Sequence, residues 1–286
     1  MKHITVPLDF SPESLKGMDL ALLFASKTSV HVHMIHVLQT EPGSVLFSQD
    51  YQKAEQQFEK IYDQFADRFE PGSRLTYSIA AGKVYEEVLN YSEADPSGII
   101  ALSSHGQSGF EDFFLGGQAF RIVSASMQPV ITIRKNPVPR SIGKLVLPID
   151  TTRETRQKVP AAAQIARLFG ASVFIAAIAS SRGRKVQDRL SAYVRQVKNY
   201  FEQQQIPCSV SFLIGNNLAD LTVGYSEEIG ADLMVIMSEQ EVSMTNLVLG
   251  NYAQQVLNKA EIPVLNITPK PMHRMGFEEI FLHSWS

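Results

Sequence analysis

Short apolar runs alternate with amphipathic stretches along the whole chain. In the first half, Ile4–Leu8, Val30–Leu38, Leu75–Ala80, Ile99–Ser103 and Val130–Ile133 read as buried strands. Between them, Leu15, Met18, Leu22 and Ala25 recur at helical spacing, as do Phe58, Ile61, Phe65 and Phe69 within a predicted helix Tyr51–Phe69. Helices are also expected over Val84–Glu93 and Gly117–Met127. Ser11-Pro12-Glu13 carries the marks of a helix start: a hydroxyl cap, proline in the first turn and an acid beside it. Strands that alternate with helices imply parallel βαβ units and hence a doubly wound α/β sheet.

The pattern then repeats. Ile4-Thr5-Val6-Pro7-Leu8-Asp9 has a counterpart 141 positions later in Leu145-Val146-Leu147-Pro148-Ile149-Asp150, and Pro129–Ile133 has one 134 positions later in Pro263–Ile267. The second copy alternates in the same order, and Pro160 should begin or kink its first helix. Two domains are therefore expected, at 1–136 and 141–268. The segment Asn136-Pro137-Val138-Pro139-Arg140 joins them, and an apolar tail, 269–286, is expected to pack on the body or on a second subunit.

Composition narrows the function classes. With 26 Lys+Arg against 29 Asp+Glu the formal charge is -3, so no electrostatic footprint for nucleic acid or an anionic membrane surface stands out. The single cysteine, Cys208, has no internal partner and fits a reducing compartment as a small buried side chain. No signal-peptide pattern opens the chain and no apolar run is long enough to span a bilayer, so a cytoplasmic location is expected.

Candidate chemistry gathers at the strand ends. Ile99–Leu102 runs into Ser103-Ser104-His105-Gly106, and Gly116-Gly117 opens the next predicted helix. A strand that leads through a glycine loop to a helix N-terminus aims unpaired N–H groups at one small volume, which suits a phosphate. This stretch resembles the nucleotide loop of the universal stress protein family, Gly-x-x-Gly, nine residues, then Gly followed by Ser or Thr. The second and third glycines of that pattern stand here as Gly106 and Gly116; the first is Ser103, and the Ser/Thr position is Gly117.

The resemblance spans nearly the whole chain apart from the tail. It implies two tandem doubly wound, Rossmann-like domains of the adenine nucleotide alpha hydrolase type, paired through their last strands as an intramolecular pseudo-dimer, with room for a homodimer. It further implies a cytoplasmic stress-response module that binds ATP or AMP in its first domain. Asp9 would hold the ribose or adenosine side, Pro7 and Val37 would help line the adenine pocket, and Gly106, Gly116 and Gly117 would offer backbone N–H groups to the phosphates, with Ser103, at the place of the first glycine, among the cofactor-binding residues. The missing hydroxyl at Gly117 implies a weaker grip on phosphate. No catalytic residue and no metal site is expected. The first strand also lacks the Ser-Gly-Gly loop that the related hydrolases would carry at Asp9-Phe10-Ser11-Pro12.

Simpler readings stand beside these. Asp9 can be a turn-former ahead of Ser11, and the glycines can serve turn geometry alone. His31 and His33 share one face of a strand, a weak metal signal better read as a solvent-facing or interface patch. His105 reads as a polar loop residue. In the second half Met237, Ser238, Glu239 and Gln240 replace the glycine loop and only Gly250 survives. That site is expected to be degenerate, its space taken by side chains. The alternative function is a non-nucleotide interaction scaffold of the same fold.

Overall fold

The computed structural model describes residues 2–39, 48–95, 97–104, 116–134, 136–238, 240–243 and 246–269. The chain divides into two compact units, Met1–Val138 and Pro139–Ser286. His105, Gly106 and nearly all of the tail lie outside the described residues, as does Glu239.

In the first unit, strands β1 (His3–Pro7), β2 (His31–Leu38), β3 (Arg74–Ala81), β4 (Ile99–Ser103) and β5 (Val130–Ile133) form a parallel sheet in the order β3-β2-β1-β4-β5. Helices α1 (Lys16–Ala25), α2 (Gln49–Phe65), α3 (Val84–Glu93) and α4 (Gly117–Ala125) make the crossovers. Every residue of β4 and β5 is buried, as expected for parallel strands covered on both faces. Phe58 and Phe65 of α2 and Phe24 of α1 are fully enclosed in the core.

The chain departs from the expected helix starts in two places. Ser11 does not cap α1; its hydroxyl accepts the Ser14 amide at 3.1 Å within a preceding turn, and α1 begins only at Lys16 with no side-chain cap. Helix α2 begins two residues early because the Ser48 hydroxyl accepts the Tyr51 amide at 3.1 Å, and it tightens into a 3-10 turn at Ala66–Arg68.

The second unit repeats the topology with β6 (Lys144–Ile149), β7 (Ser172–Ala179), β8 (Cys208–Ile214) and β9 (Leu233–Met237). A short antiparallel ribbon follows, β10 (Gln240–Ser243) with β11 (Asn246–Leu249), and then β12 (Val264–Ile267) completes a parallel sheet ordered β12-β9-β6-β7-β8. Its helices are α5 (Val159–Phe169), α6 (Arg184–Gln203), α7 (Leu218–Glu228) and α8 (Asn251–Lys259). Pro160 is the second residue of α5, where its missing N–H costs nothing, so it begins the helix without kinking it. Gly170 ends α5 in the left-handed conformation, at φ 68°.

The paired histidines are not a solvent-facing patch. His33 is only 6% exposed and stacks on Tyr91 with ring centroids 3.8 Å apart, and its two ring nitrogens lie 2.8 Å from the hydroxyls of Thr76 and Ser78 on β3. His31 stacks on His3 and lies 2.7 Å from Thr76 Oγ1. These rings fasten β2 to β3 and to α3. Among the described residues, no group of His, Cys, Asp or Glu is arranged to hold a metal ion.

Candidate functional site

In the sheet order β3-β2-β1-β4-β5, the chain switches direction between β1 and β4. Ligands of open α/β sheets sit outside the carboxyl ends of the strands at such a switch. A cavity of about 520 Å³ opens there. Pro7, Asp9, Val37, Ser103, Gly116 and Gly117 all line it, so six of the seven residues singled out in the sequence come together; Gly106 lies outside the described residues.

Asp9 is fixed by a local turn. Its Oδ1 accepts the Ser11 amide at 3.0 Å and the Ser11 hydroxyl at 2.5 Å. The simpler reading of Asp9 as a turn-former therefore holds, and it is compatible with a ligand role because the same carboxylate lines the cavity. Phe10 follows with φ at 63°, a left-handed conformation unusual for a bulky residue. Its ring lies 4.3 Å from His36 and 5.1 Å, edge to face, from Phe58, contacts that hold the strained turn in place.

Helix α4, whose first residues also line the cavity, starts at Gly117 behind Gly116, which supplies no side-chain cap. The Gly116 amide is already used: it donates to the Ser104 carbonyl at 2.7 Å. The Gly116 amide is therefore not offered to a phosphate, a correction to its expected role. The amides of Gly117, Gln118 and Ala119 precede the first intrahelical bond, from Phe120 N–H to Gly116 O, and all three residues line the cavity. The positive end of the α4 dipole falls at the same place. Among the described residues, a Cβ added at Gly117 would meet nothing within 4 Å.

Sequence reasoning missed His36. It lines the cavity, and its Nδ1 lies 2.7 Å from the Leu8 carbonyl, which can only accept, so Nδ1 carries the proton. Burial pushes the imidazole below its ordinary value, keeping the ring neutral and leaving Nε2 an acceptor. The signal in the sequence was position: His36 lies near the carboxyl end of β2, and Ile35, His36, Val37 and Leu38 all line the cavity.

The second unit has a counterpart. A cavity of about 340 Å³ lies among residues that follow β6 and β9, including Asp150, Thr155, Lys158, Ser238 and Tyr252. The expectation that side chains fill this place is therefore corrected. The segment after β9 folds into the β10–β11 ribbon, whose backbone groups pair across four registers.

Both units are thus doubly wound α/β domains with a cleft at the switch point. The chain belongs to the universal stress protein family, whose model matches residues 1–134 and again 141–267. A universal stress protein of Methanocaldococcus jannaschii is 23% identical over 146 residues, covering 47% of this chain and 82% of its own length. Among solved structures, a universal stress protein from Archaeoglobus fulgidus superposes with a TM-score of 0.75 at 19% identity, covering 93% of this chain and 98% of its own. A functionally unknown protein from Pseudomonas aeruginosa superposes with a TM-score of 0.68 at 16% identity, covering 99% and 95%. No helix among the described residues is long and apolar enough to cross a membrane.

Proposed function

We propose that the first unit is an adenine-nucleotide-binding module and that the chain acts in a cytoplasmic stress response by binding, without turnover. The observation that carries this reading is convergence: the Asp9 carboxylate, the Pro7 and Val37 side chains and the free amide edge of α4 face one cavity of about 520 Å³. A carboxylate in the lining suits ribose hydroxyls, and a helix N-terminus in the same lining suits phosphate. Universal stress proteins have been solved with cAMP and with dAMP bound, but the reading for this chain rests on its own pocket.

The cavity favours a short phosphate chain. Among the described residues no Lys or Arg lines it, and Gly117 offers no hydroxyl. AMP therefore competes well with ATP here, whereas a tight triphosphate site would carry cationic side chains. The same lack favours binding without hydrolysis: among the described lining residues no Lys or Arg is present to stabilise the charge that develops in phosphoryl transfer.

Calorimetry of the full chain with ATP and with AMP tests this. Saturable heat with either nucleotide, lost on Asp9→Ala, is expected, with no ADP or phosphate released on incubation with ATP. Absence of heat and of any thermal shift with both nucleotides would leave the scaffold reading in its place.

A further inference from the structure

The cavity of the second unit contains a group with no counterpart in the first. The two units share the same turn after their first strand. Asp150 Oδ1 accepts the Thr152 amide at 2.7 Å and its hydroxyl at 2.6 Å, as Asp9 Oδ1 does with Ser11. Counting on from these aspartates by the 141-residue repeat, Lys158 stands where the first unit has Gly17. A side chain at Gly17 would strike the Ala101 carbonyl and Val6 at 2.9 Å, so the first unit has no room for one. In the second unit the lysine is accommodated, and it lines the cavity.

Lys158 is 3% exposed. Its ammonium donates to the Thr155 carbonyl at 2.9 Å and to Thr155 Oγ1 at 3.0 Å. Those two bonds leave one N–H of the ammonium without a described acceptor. Among the described residues no carboxylate comes within ion-pairing distance; Asp150 acts on it only through space. A buried charge without a counter-ion is costly, and burial accordingly lowers the lysine from 10.5 to about 8, which still leaves it mostly protonated at neutral pH. Asp150 spends Oδ1 on Thr152, and Oδ2 has no described donor. The cavity thus holds a deep cation with a spare N–H and a carboxylate with a spare acceptor.

We propose that this cavity is a second ligand site, for a small carboxylate that also carries an amino or hydroxyl donor, its carboxylate on Lys158 and its donor on Asp150. A phosphate ester fits worse. Asp150 and Glu154 both line the cavity, so against one lysine the lining carries net negative charge and repels a dianion. The volume, about 340 Å³, suits a ligand of amino-acid or hydroxy-acid size, and the apolar walls at Pro148, Ile178 and Met237 take a short aliphatic part.

Three three-carbon carboxylates separate the elements of the proposal: L-alanine with an amino donor, L-lactate with a hydroxyl donor, and propionate with neither. Each is titrated into the full chain carrying ¹³C-labelled lysine, with the Lys158 ε-carbon signal followed across pH. Saturable millimolar binding of alanine or lactate is expected, at least about threefold tighter than propionate, a gap of about 0.7 kcal/mol. Bound ligand should raise the pH at which Lys158 titrates, and Lys158→Met should abolish the response. The wild-type titration of Lys158 reads the same contact should that variant fail to fold. The proposal is overturned if no probe gives a saturable response, if the Lys158 signal is unmoved, or if propionate binds as well as the other two. ATP and AMP titrations on the same sample report the first unit separately, so either site can fail without the other.

Discussion

The amide of Gly116 donates to the carbonyl of Ser104 at 2.7 Å, tying the start of α4 to the carboxyl edge of β4. Gly116 is therefore a fixed hinge post for the start of α4, and the first free amide of that helix belongs to Gly117. Phosphate recognition in this unit depends on where α4 begins more than on the number of glycines.

Gly117 gives the most direct test. Because a Cβ there would meet none of the described residues within 4 Å, Gly117→Ser places a hydroxyl at the cavity edge without a clash against them. Serine is also slightly better than glycine within a helix. A hydrogen bond to a charged phosphate contributes about 1.5–3 kcal/mol. The variant is expected to bind ATP about tenfold more tightly, with a smaller gain for AMP, by calorimetry. Equal or weaker ATP binding would place the phosphates elsewhere.

Asp9 has two roles that different substitutions separate. Asp9→Ala removes the acceptor of two hydrogen bonds from Ser11, and it should cost about 1–2 kcal/mol in urea unfolding as well as weakening nucleotide binding. Asp9→Asn keeps an acceptor oxygen for the turn and loses the charge. It should retain most of the stability while still binding nucleotide more weakly, if the carboxylate meets ribose hydroxyls.

His33 makes the first unit acid-sensitive. Burial lowers its imidazole from 6.5 to about 4, and neighbouring His31 and His3 add repulsion. His31 is lowered in the same direction by burial, then by His3 and Arg74, with Asp95 opposing. Below pH 6.5 the unfolded chain takes up a proton that folded His33 refuses, so stability is full above 6.5 and is lost as pH falls toward 4. From His33 alone the loss at pH 5 is up to about 2 kcal/mol. Urea unfolding at pH 7.5 and pH 5 should show this difference, and His33→Asn should shrink it at the expense of the Tyr91 stack.

Much of the architecture was legible because fully covered parallel strands are written as nearly unbroken apolar runs. Ile99–Ser103, Val130–Ile133, Leu233–Met237 and Val264–Ile267 are found where the pattern puts them. Helix starts were harder: Ser11 carries every mark of a cap, yet its hydroxyl serves a turn that precedes α1. The β10–β11 ribbon escaped notice because four residues a side are too few for alternation to stand out. In the second unit, the loss of the glycines did not mean a filled cavity, since the space depends on how Lys158 and Tyr252 pack, and linear order does not carry that.

Gly17 tests how tightly the first unit is closed beneath its cavity. A methyl group there would lie 2.9 Å from both the Ala101 carbonyl oxygen and Val6 Cγ1, and 3.5 Å from the Leu102 Cα. Two of these atoms are backbone of the central strand β4, which is paired to β1 and β5 and has nowhere to move. Relief must come from α1 lifting off the sheet. That displaces the turn from Asp9 to Leu15 just ahead of the helix, where Ser14 lines the cavity. Gly17→Ala should therefore destabilise the fold by about 1–3 kcal/mol, despite the better helix propensity of alanine, and weaken nucleotide binding with it. The opposite exchange, Lys158→Gly at the matching position of the second unit, should leave nucleotide binding by the first unit unchanged. Calorimetry and urea unfolding on the two variants check both halves of the expectation.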